Sequence, residues 1–354
     1  MWITPKTKPP PKKASPTMTD TYRRMTAAEA AARLRGDADT LILMHRHPDG
    51  DAIGSAFALR ILLEGMGCRA LCVCEDDIPV RLRFLVEDVQ ESILQSSLSA
   101  DFTPAQVIAV DTASPAQMGT LCEPYGGRVD LMIDHHGRGE MYADGWISPD
   151  SAATGEMIFA LAEELVRTGR LAEIPVAAAR LMYAAVSSDT GCFRYANVTA
   201  DTHRTAASLL SAGFDAAEIN YRLFEVKSER LLCAERLGLE RLRVLLDGRL
   251  AVVDIPYEVK RDNGLSDEHM ETLVDIARSV EGAEVAVAIR QSTERPVFRV
   301  SMRASGNVDV SEICAAFGGG GHKKAAGCSV TSDGGMEAAV STVTEAVRRA
   351  LAET

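Results

Sequence analysis

No apolar run in this 354-residue chain approaches the ~20 residues that a membrane-spanning helix needs, and no secretory signal is visible. Positive charge is not in excess either. The 38 Lys and Arg face 50 Asp and Glu, and a net charge of -12 argues against general coating of nucleic acid. That balance still permits a small phosphorylated substrate held by a few local cations. The eight cysteines (68, 72, 74, 122, 192, 233, 314 and 328) include no CxxC pair and no metal-ribbon spacing. Scattered free thiols suit a reducing compartment, so the expected location is the cytoplasm.

What is present has the balance of a soluble globular protein, with 46% apolar and 25% charged residues. The length suits two domains. Residues 1–25 carry Pro5, Pro9, Pro10 and Pro11 among Lys6, Lys8, Lys12 and Lys13, with almost nothing to bury. They read as a disordered tail, within which Met18 is an alternative start. Thr26 followed by Glu29 reads as a capping box for a helix through about Leu34.

The most informative stretch runs from Leu41 to Ser55. Leu41-Ile42-Leu43-Met44 is apolar on both pleat faces and reads as a buried strand. His45-Arg46-His47-Pro48-Asp49-Gly50-Asp51 follows, where open α/β sheets place their chemistry. Pro48 and Gly50 favour a tight turn that could aim Asp49 and Asp51 into one space. A helix is expected from Ala52 to Gly65. Taken alone, His-x-x-x-Asp-x-Asp fits a polar loop with a helix cap as well as it fits a metal site.

Further strands are expected at Ala70–Cys74, at Val107–Val110 running into Asp111, and at Val129–Ile133 running into Asp134-His135-His136. Helices are expected at Ala152–Val166 and at Val176–Val186, the latter running into Ser187-Ser188-Asp189-Thr190-Gly191. This alternation predicts an α/β domain over residues 26–220, a parallel sheet with helices on both faces. Residues 221–246 are charged and read as a helical connector. Leu250–Val253, Ala283–Ile289 and Val297–Arg303 read as strands and Met336–Leu351 as a helix, giving a smaller α+β domain over residues 247–354.

His45, Asp49, Asp51, Asp111, Asp134, His135, His136 and Asp189 thus all follow apolar elements. If these ends converge, several charges are buried without partners, which is costly unless a cation neutralises them. A two-metal site is the economical explanation. Mixed His and Asp donors suit Mn²⁺ best, with Mg²⁺ or Co²⁺ also compatible. Two such ions roughly 3.5–4 Å apart can generate a hydroxide and clamp a phosphoryl group for in-line attack.

At these residues the chain resembles the DHH family of phosphoesterases. The matching motifs are His45 to Asp51, Asp111-Thr112, Asp134-His135-His136 and Asp189-Thr190-Gly191. The run Gly318-Gly319-Gly320-Gly321-His322-Lys323-Lys324-Ala325-Ala326-Gly327 is similar to the family's associated C-terminal domain. Length and domain pairing are most similar to the nanoRNase/pAp-phosphatase branch. The resemblance implies that His45 and Asp49 hold one metal, Asp51, His135 and Asp189 the other, and that Asp111 bridges both. Asp134 would support the ligands from behind, and His136 would face the scissile phosphate. Gly137-Arg138-Gly139-Glu140 stands where the family often has small polar residues, commonly including an Asn.

The glycine run has no strand of the right kind before it and the wrong spacing for a dinucleotide fingerprint. Its N–H groups could form an anion nest, so Gly319, Gly320, Gly321 and His322 are expected to contact the non-scissile phosphate or the base. Arg303 would grip a terminal phosphate or make a surface ion pair, and Lys323 rather than both lysines would touch substrate. The expected activity is metal-dependent hydrolysis of short RNA oligonucleotides or of a nucleoside bisphosphate, in a cleft between the domains, with a homodimer compatible. A pyrophosphatase or polyphosphatase and a non-catalytic nucleotide sensor are the alternatives. Processive action on long DNA is not expected of so acidic a chain.

Overall fold

The computed structural model describes residues 22–87, 89, 93–94, 101–137 and 139–353. Met18, Arg138 and most of the expected disordered tail lie outside the described residues. The tail's last residues are attached: Met25 is buried and its N–H donates to Gly145 O at 2.8 Å. Its apolar side chain and free backbone donor both find partners there. The described chain divides into two compact units, residues 22–220 and Tyr221 onward.

The first unit is built on a five-stranded parallel sheet of order β2-β1-β3-β4-β5. The strands are β1 (Thr40–Leu43), β2 (Ala70–Val73), β3 (Gln106–Val110), β4 (Leu131–Asp134) and β5 (Gly145–Ile147). Nearly every residue of β1, β3 and β4 is buried, so both sheet faces are covered and the strands read as unbroken apolar runs. Leu41, Leu43, Val107, Ala109 and Met132 pack with Met118, Leu121 and Tyr142 on one side. Short helical turns between Pro115 and Tyr125 supply that cover. Ile42, Ile108, Val110 and Ile133 alternate to the other side, covered by longer helices, Gly50–Gly65 and Thr154–Arg167 among them. The expected α/β architecture is present.

Helix Gly50–Gly65 in turn packs along helix Val176–Asp189. Glycines set the closeness of that contact and of the one helix Thr154–Arg167 makes with the same partner. A Cβ on Gly54 would sit 2.6 Å from Leu181 O, and one on Gly155 would sit 2.6 Å from Ala185 Cβ. Only hydrogen in place of a side chain lets these helices approach so far. Asp51 and Asp189, at opposite ends of their helices, meet as a result.

The second unit carries a six-stranded mixed sheet of order β10-β11-β9-β8-β7-β6. Its strands are β6 (Leu242–Leu245), β7 (Leu250–Ile255), β8 (Val285–Gln291), β9 (Val297–Ala304), β10 (Gly320–His322) and β11 (Ala325–Thr331). β7 and β8 are parallel and every other pair is antiparallel. Helix Gly335–Ala352 packs on one face through Val340, Val343 and Val347. The expected helical connector through residue 246 is different here. Its helix is Glu229–Glu240, and Leu242–Leu245 pair with β7 as a strand. Ala234 and Leu237 of that helix bury against Val253 and Leu273, so it belongs to the second unit's core.

Candidate metal centre

The site is assembled at the carboxyl ends of the parallel strands. His45 follows β1 by one buried residue, Asp111 follows β3, Asp134 closes β4, and His135 and His136 come next. Asp49 is the N-cap of helix Gly50–Gly65 and accepts the N–H groups of Asp51 and Ala52, both at 3.0 Å. The helix therefore begins two residues before the expected Ala52, which places Asp51 in its first turn. Asp189 is the last residue of helix Val176–Asp189. Asn197 holds that terminus, its amide donating to Asp189 O at 3.1 Å and to Ala152 O at 2.9 Å.

Donor atoms gather in three groups, each within 4.8 Å: His45, Asp49 and Asp111; Asp51, His135 and Asp189; and Asp111, His135 and His136. Asp111 is common to the first and third groups. Its Oδ2 lies 3.5 Å from His45 Nε2, and its Oδ1 lies 3.7 Å from both His135 Nε2 and His136 Nδ1. Its backbone has a φ of 55°, a left-handed conformation that aspartate tolerates better than most residues. His135 Nε2 is also 3.5 Å from Asp189 Oδ2 and 3.8 Å from Asp51 Oδ2. His47, at φ 57°, pairs instead with Asp76 at 2.7 Å and joins none of these groups.

Two imidazoles are oriented by carbonyls. His45 Nδ1 donates to Arg46 O at 2.8 Å, and His135 Nδ1 donates to Ser151 O at 3.2 Å. A carbonyl can only accept, so Nδ1 carries a proton in both rings and Nε2, the atom facing the carboxylates, is the one that can offer a metal its lone pair. His136 differs: its Nδ1 faces Asp134 Oδ1 at 2.7 Å.

The carboxylates are held from a second direction. Asp51, 1% exposed, accepts from Thr154 N–H at 2.7 Å, Gly155 N–H at 2.9 Å and the Ser55 hydroxyl at 2.9 Å. The Thr154 hydroxyl donates to Asp111 Oδ1 at 3.0 Å. Thr154, Gly155 and Ser55 were not anticipated from sequence. The available signal was a Thr-Gly pair at the start of an expected helix, whose free N–H groups favour an anion.

Charge accounting shows why a cation fits. Burial, then the charges of Asp111 and Asp189, push the Asp51 carboxyl well above its usual range. Burial with Asp49 and Asp111 does the same to Asp189. Asp111 is buried too, but hydrogen bonding to His45 and the three imidazole charges outweigh burial and hold it low. His45 is driven well up, against burial, by Asp111 and Asp49. These strained protonation states are what crowded acids and imidazoles adopt without a cation, and a divalent ion relieves them.

Residues 39–186 match the DHH family, N-terminal domain, and residues 248–349 match the DHHA1 domain. A bifunctional oligoribonuclease and PAP phosphatase of Thermus thermophilus is 34% identical over 312 residues, 88% of this chain and 89% of that protein. The chain belongs to the DHH family of phosphoesterases. A second such enzyme, from Bacillus subtilis, is 28% identical across 83% of this chain and 90% of its own. An exopolyphosphatase-related protein of Bacteroides fragilis shares the fold, with a TM-score of 0.80 at 23% identity, covering 92% of this chain and 96% of that one.

The DHHA1 unit places the remaining expected residues on its sheet or in the turns beside it. Gly320–His322 form β10, so the second half of the glycine run is an exposed edge strand rather than a loop. Its glycines have a packing reason. A Cβ on Gly319 would lie 2.2 Å from Gly327 O, and one on Gly321, at φ 142°, would lie 2.5 Å from Ala325 O. Gly318 and Gly320 face open space. Arg303, on β9, donates to Met302 O at 3.0 Å and has no carboxylate partner among the described residues. Lys323 is exposed, whereas the Lys324 ammonium is tied to Gly306 O. Among the described residues no helix is long and apolar enough to cross a membrane.

Proposed function

We propose that this DHH-family protein is a two-ion, Mn²⁺-dependent phosphohydrolase that degrades short oligoribonucleotides and removes phosphate from 3′-phosphoadenosine 5′-phosphate (pAp). One observation carries the reading: Asp111 offers one oxygen to His45 and the other to His135, so two donor groups share a single carboxylate. His45 and Asp49 would hold one ion, Asp51, His135 and Asp189 the other, and Asp111 both. Mg²⁺ or Co²⁺ suits the same oxygen and nitrogen donors. Bound ions of this kind polarise phosphoryl oxygens and lower the pKa of an attacking water.

The protein's own part follows from its geometry. Asp134 orients His136 through the 2.7 Å contact at Nδ1. Though burial opposes it, Asp134 and the charges of Asp111 and Asp189 raise the His136 imidazolium to about 9. Its bond to Asp134 favours the imidazolium form, which is suited to neutralising a phosphoryl group or protonating a leaving oxygen. Arg303, Gly319, Gly320, Gly321, His322 and Lys323 would hold the non-scissile phosphate or base. The activities of the Thermus thermophilus and Bacillus subtilis relatives support the substrate class. Action in the cytoplasm, as a homodimer, belongs to the same reading.

The test is hydrolysis of a 5′-phosphorylated RNA dinucleotide, of pAp and of pyrophosphate, each with Mn²⁺ and with chelator. Metal-dependent cleavage of the first two is expected. Cleavage of pyrophosphate alone would move the protein to a different substrate class, and silence on all three would make it a binding module.

A further inference from the structure

β9 turns Phe298, Val300 and Met302 into the core and Arg299, Ser301 and Arg303 to the opposite face. On β8 that second face carries Ala286 and Ala288, buried in their own cluster, and then Arg290. The antiparallel register sets Arg290 directly against Arg299. Like charges opposite one another weaken such a pair.

Local carboxylates do not resolve the conflict. Arg290 is half-buried, its Nε is buried without a hydrogen bond, and Nη1 reaches only Met270 O at 3.4 Å. Among the described residues no carboxylate lies within ion-pair distance of it. Arg299, half-exposed, stands 3.8 Å from Asp267, whose carboxylate already holds the Lys260 ammonium. Burial and the Arg299 charge lower Arg290, while Asp267 and Glu271 support it from farther away. A buried guanidinium donor left unmade is costly, and a bidentate oxyanion is the group that satisfies it.

We propose that Arg299, backed by Arg290, is a second phosphate subsite that sets the preference for chain length. It rests on the oligonucleotide reading above and extends it. Arg299 and Arg303 share one strand face four residues apart, about 13 Å along the strand, a separation on the order of two extended sugar–phosphate repeats. A nucleoside bisphosphate anchored at Arg303 has only one sugar between its phosphates and stops short of Arg299. A trinucleotide or longer strand reaches it. Ser329, paired with Arg299 on β11, adds a hydroxyl to the same face.

The experiment compares kcat/KM for pAp, a dinucleotide and a tetranucleotide in wild type, Arg299→Ala and Arg299→Lys. In Arg299→Ala the tetranucleotide-to-dinucleotide ratio is expected to fall about tenfold, carried by KM. The salt dependence for the tetranucleotide should become shallower by about 0.7 in log–log slope, one phosphate contact on a single strand. Arg299→Lys, which keeps the charge and loses the fork, should fall between. An unchanged ratio, or an equal loss on all three substrates with an unchanged melting temperature, would overturn the subsite while leaving the activity standing. A wild type inactive on every substrate would instead overturn the oligonucleotide reading, and the subsite with it.

Discussion

The Asp51 carboxylate accepts the backbone N–H of Thr154 at 2.7 Å, joining the first turns of two helices 103 residues apart in sequence. The next N–H, from Gly155, reaches the other Asp51 oxygen at 2.9 Å. Two helix N-termini thus supply the fixed positive ends that keep this acid in place. The same threonine steers the shared carboxylate through its hydroxyl, 3.0 Å from Asp111 Oδ1.

Thr154→Val separates these roles. It removes the hydroxyl, preserves shape and leaves the N–H bond to Asp51. Loss of such an outer contact is expected to weaken metal binding or activity about 10–100-fold, with the melting temperature of the chelated protein little changed. Metal titration by calorimetry checks it, and wild-type affinity in Thr154→Val would remove Thr154 from the account.

Metal and pH are coupled through the same acids and imidazoles. His136 is raised from 6.5 to about 9, so the stability it contributes is present below pH 6.5 and lost as pH rises to about 9. His45 is raised as well, and the raised Asp51 and Asp189 carboxyls also favour the protonated fold. Asp49 and Asp111 are lowered, so their contribution is lost only in acid, outside this window. The chelated protein should therefore melt at progressively lower temperature from pH 6.5 to 9. Metal binding must displace the protons of the ligands His45, Asp51 and Asp189, so metal-induced stabilisation should grow over the same range. His136→Gln should flatten the slope of the chelated protein; a slope identical to wild type would contradict its assignment.

Gly54 supports the site without touching it. Its absent side chain lets helix Gly50–Gly65 reach the backbone of Leu181. Gly54→Val drives a branched side chain into that carbonyl and should cost about 1–3 kcal/mol of stability. It should also weaken metal binding, because Asp51 and Asp189 ride on the separated helices. A stable Gly54→Val variant with unaltered metal affinity would show that this contact does not set the ligand spacing.

Much of the site was legible because its residues end apolar runs. β1, β3 and β4 announce themselves as short runs buried on both faces, and His45, Asp111 and Asp134 stand at or just past their ends. What tertiary pairing alone creates was not legible. β5 is three residues long, β6 lies in a charged stretch of helical pattern, and β10 is mostly glycine, which has little strand preference of its own. Each becomes a strand because a neighbour offers it a ladder. The bonds from Thr154 and Gly155 to Asp51 depend on helices that no local pattern brings together. The glycine run looked like an anion cradle, yet Gly319 and Gly321 are explained by close backbone approach to β11.

The most direct measurement is hydrolysis of the 5′-phosphorylated dinucleotide by Asp111→Ala in saturating Mn²⁺, alongside its far-ultraviolet circular dichroism. A folded protein whose turnover falls to that of chelated wild type is expected, because in the proposed centre one substitution would take a ligand from both ions. Near-normal turnover in that folded variant would contradict the shared-carboxylate centre.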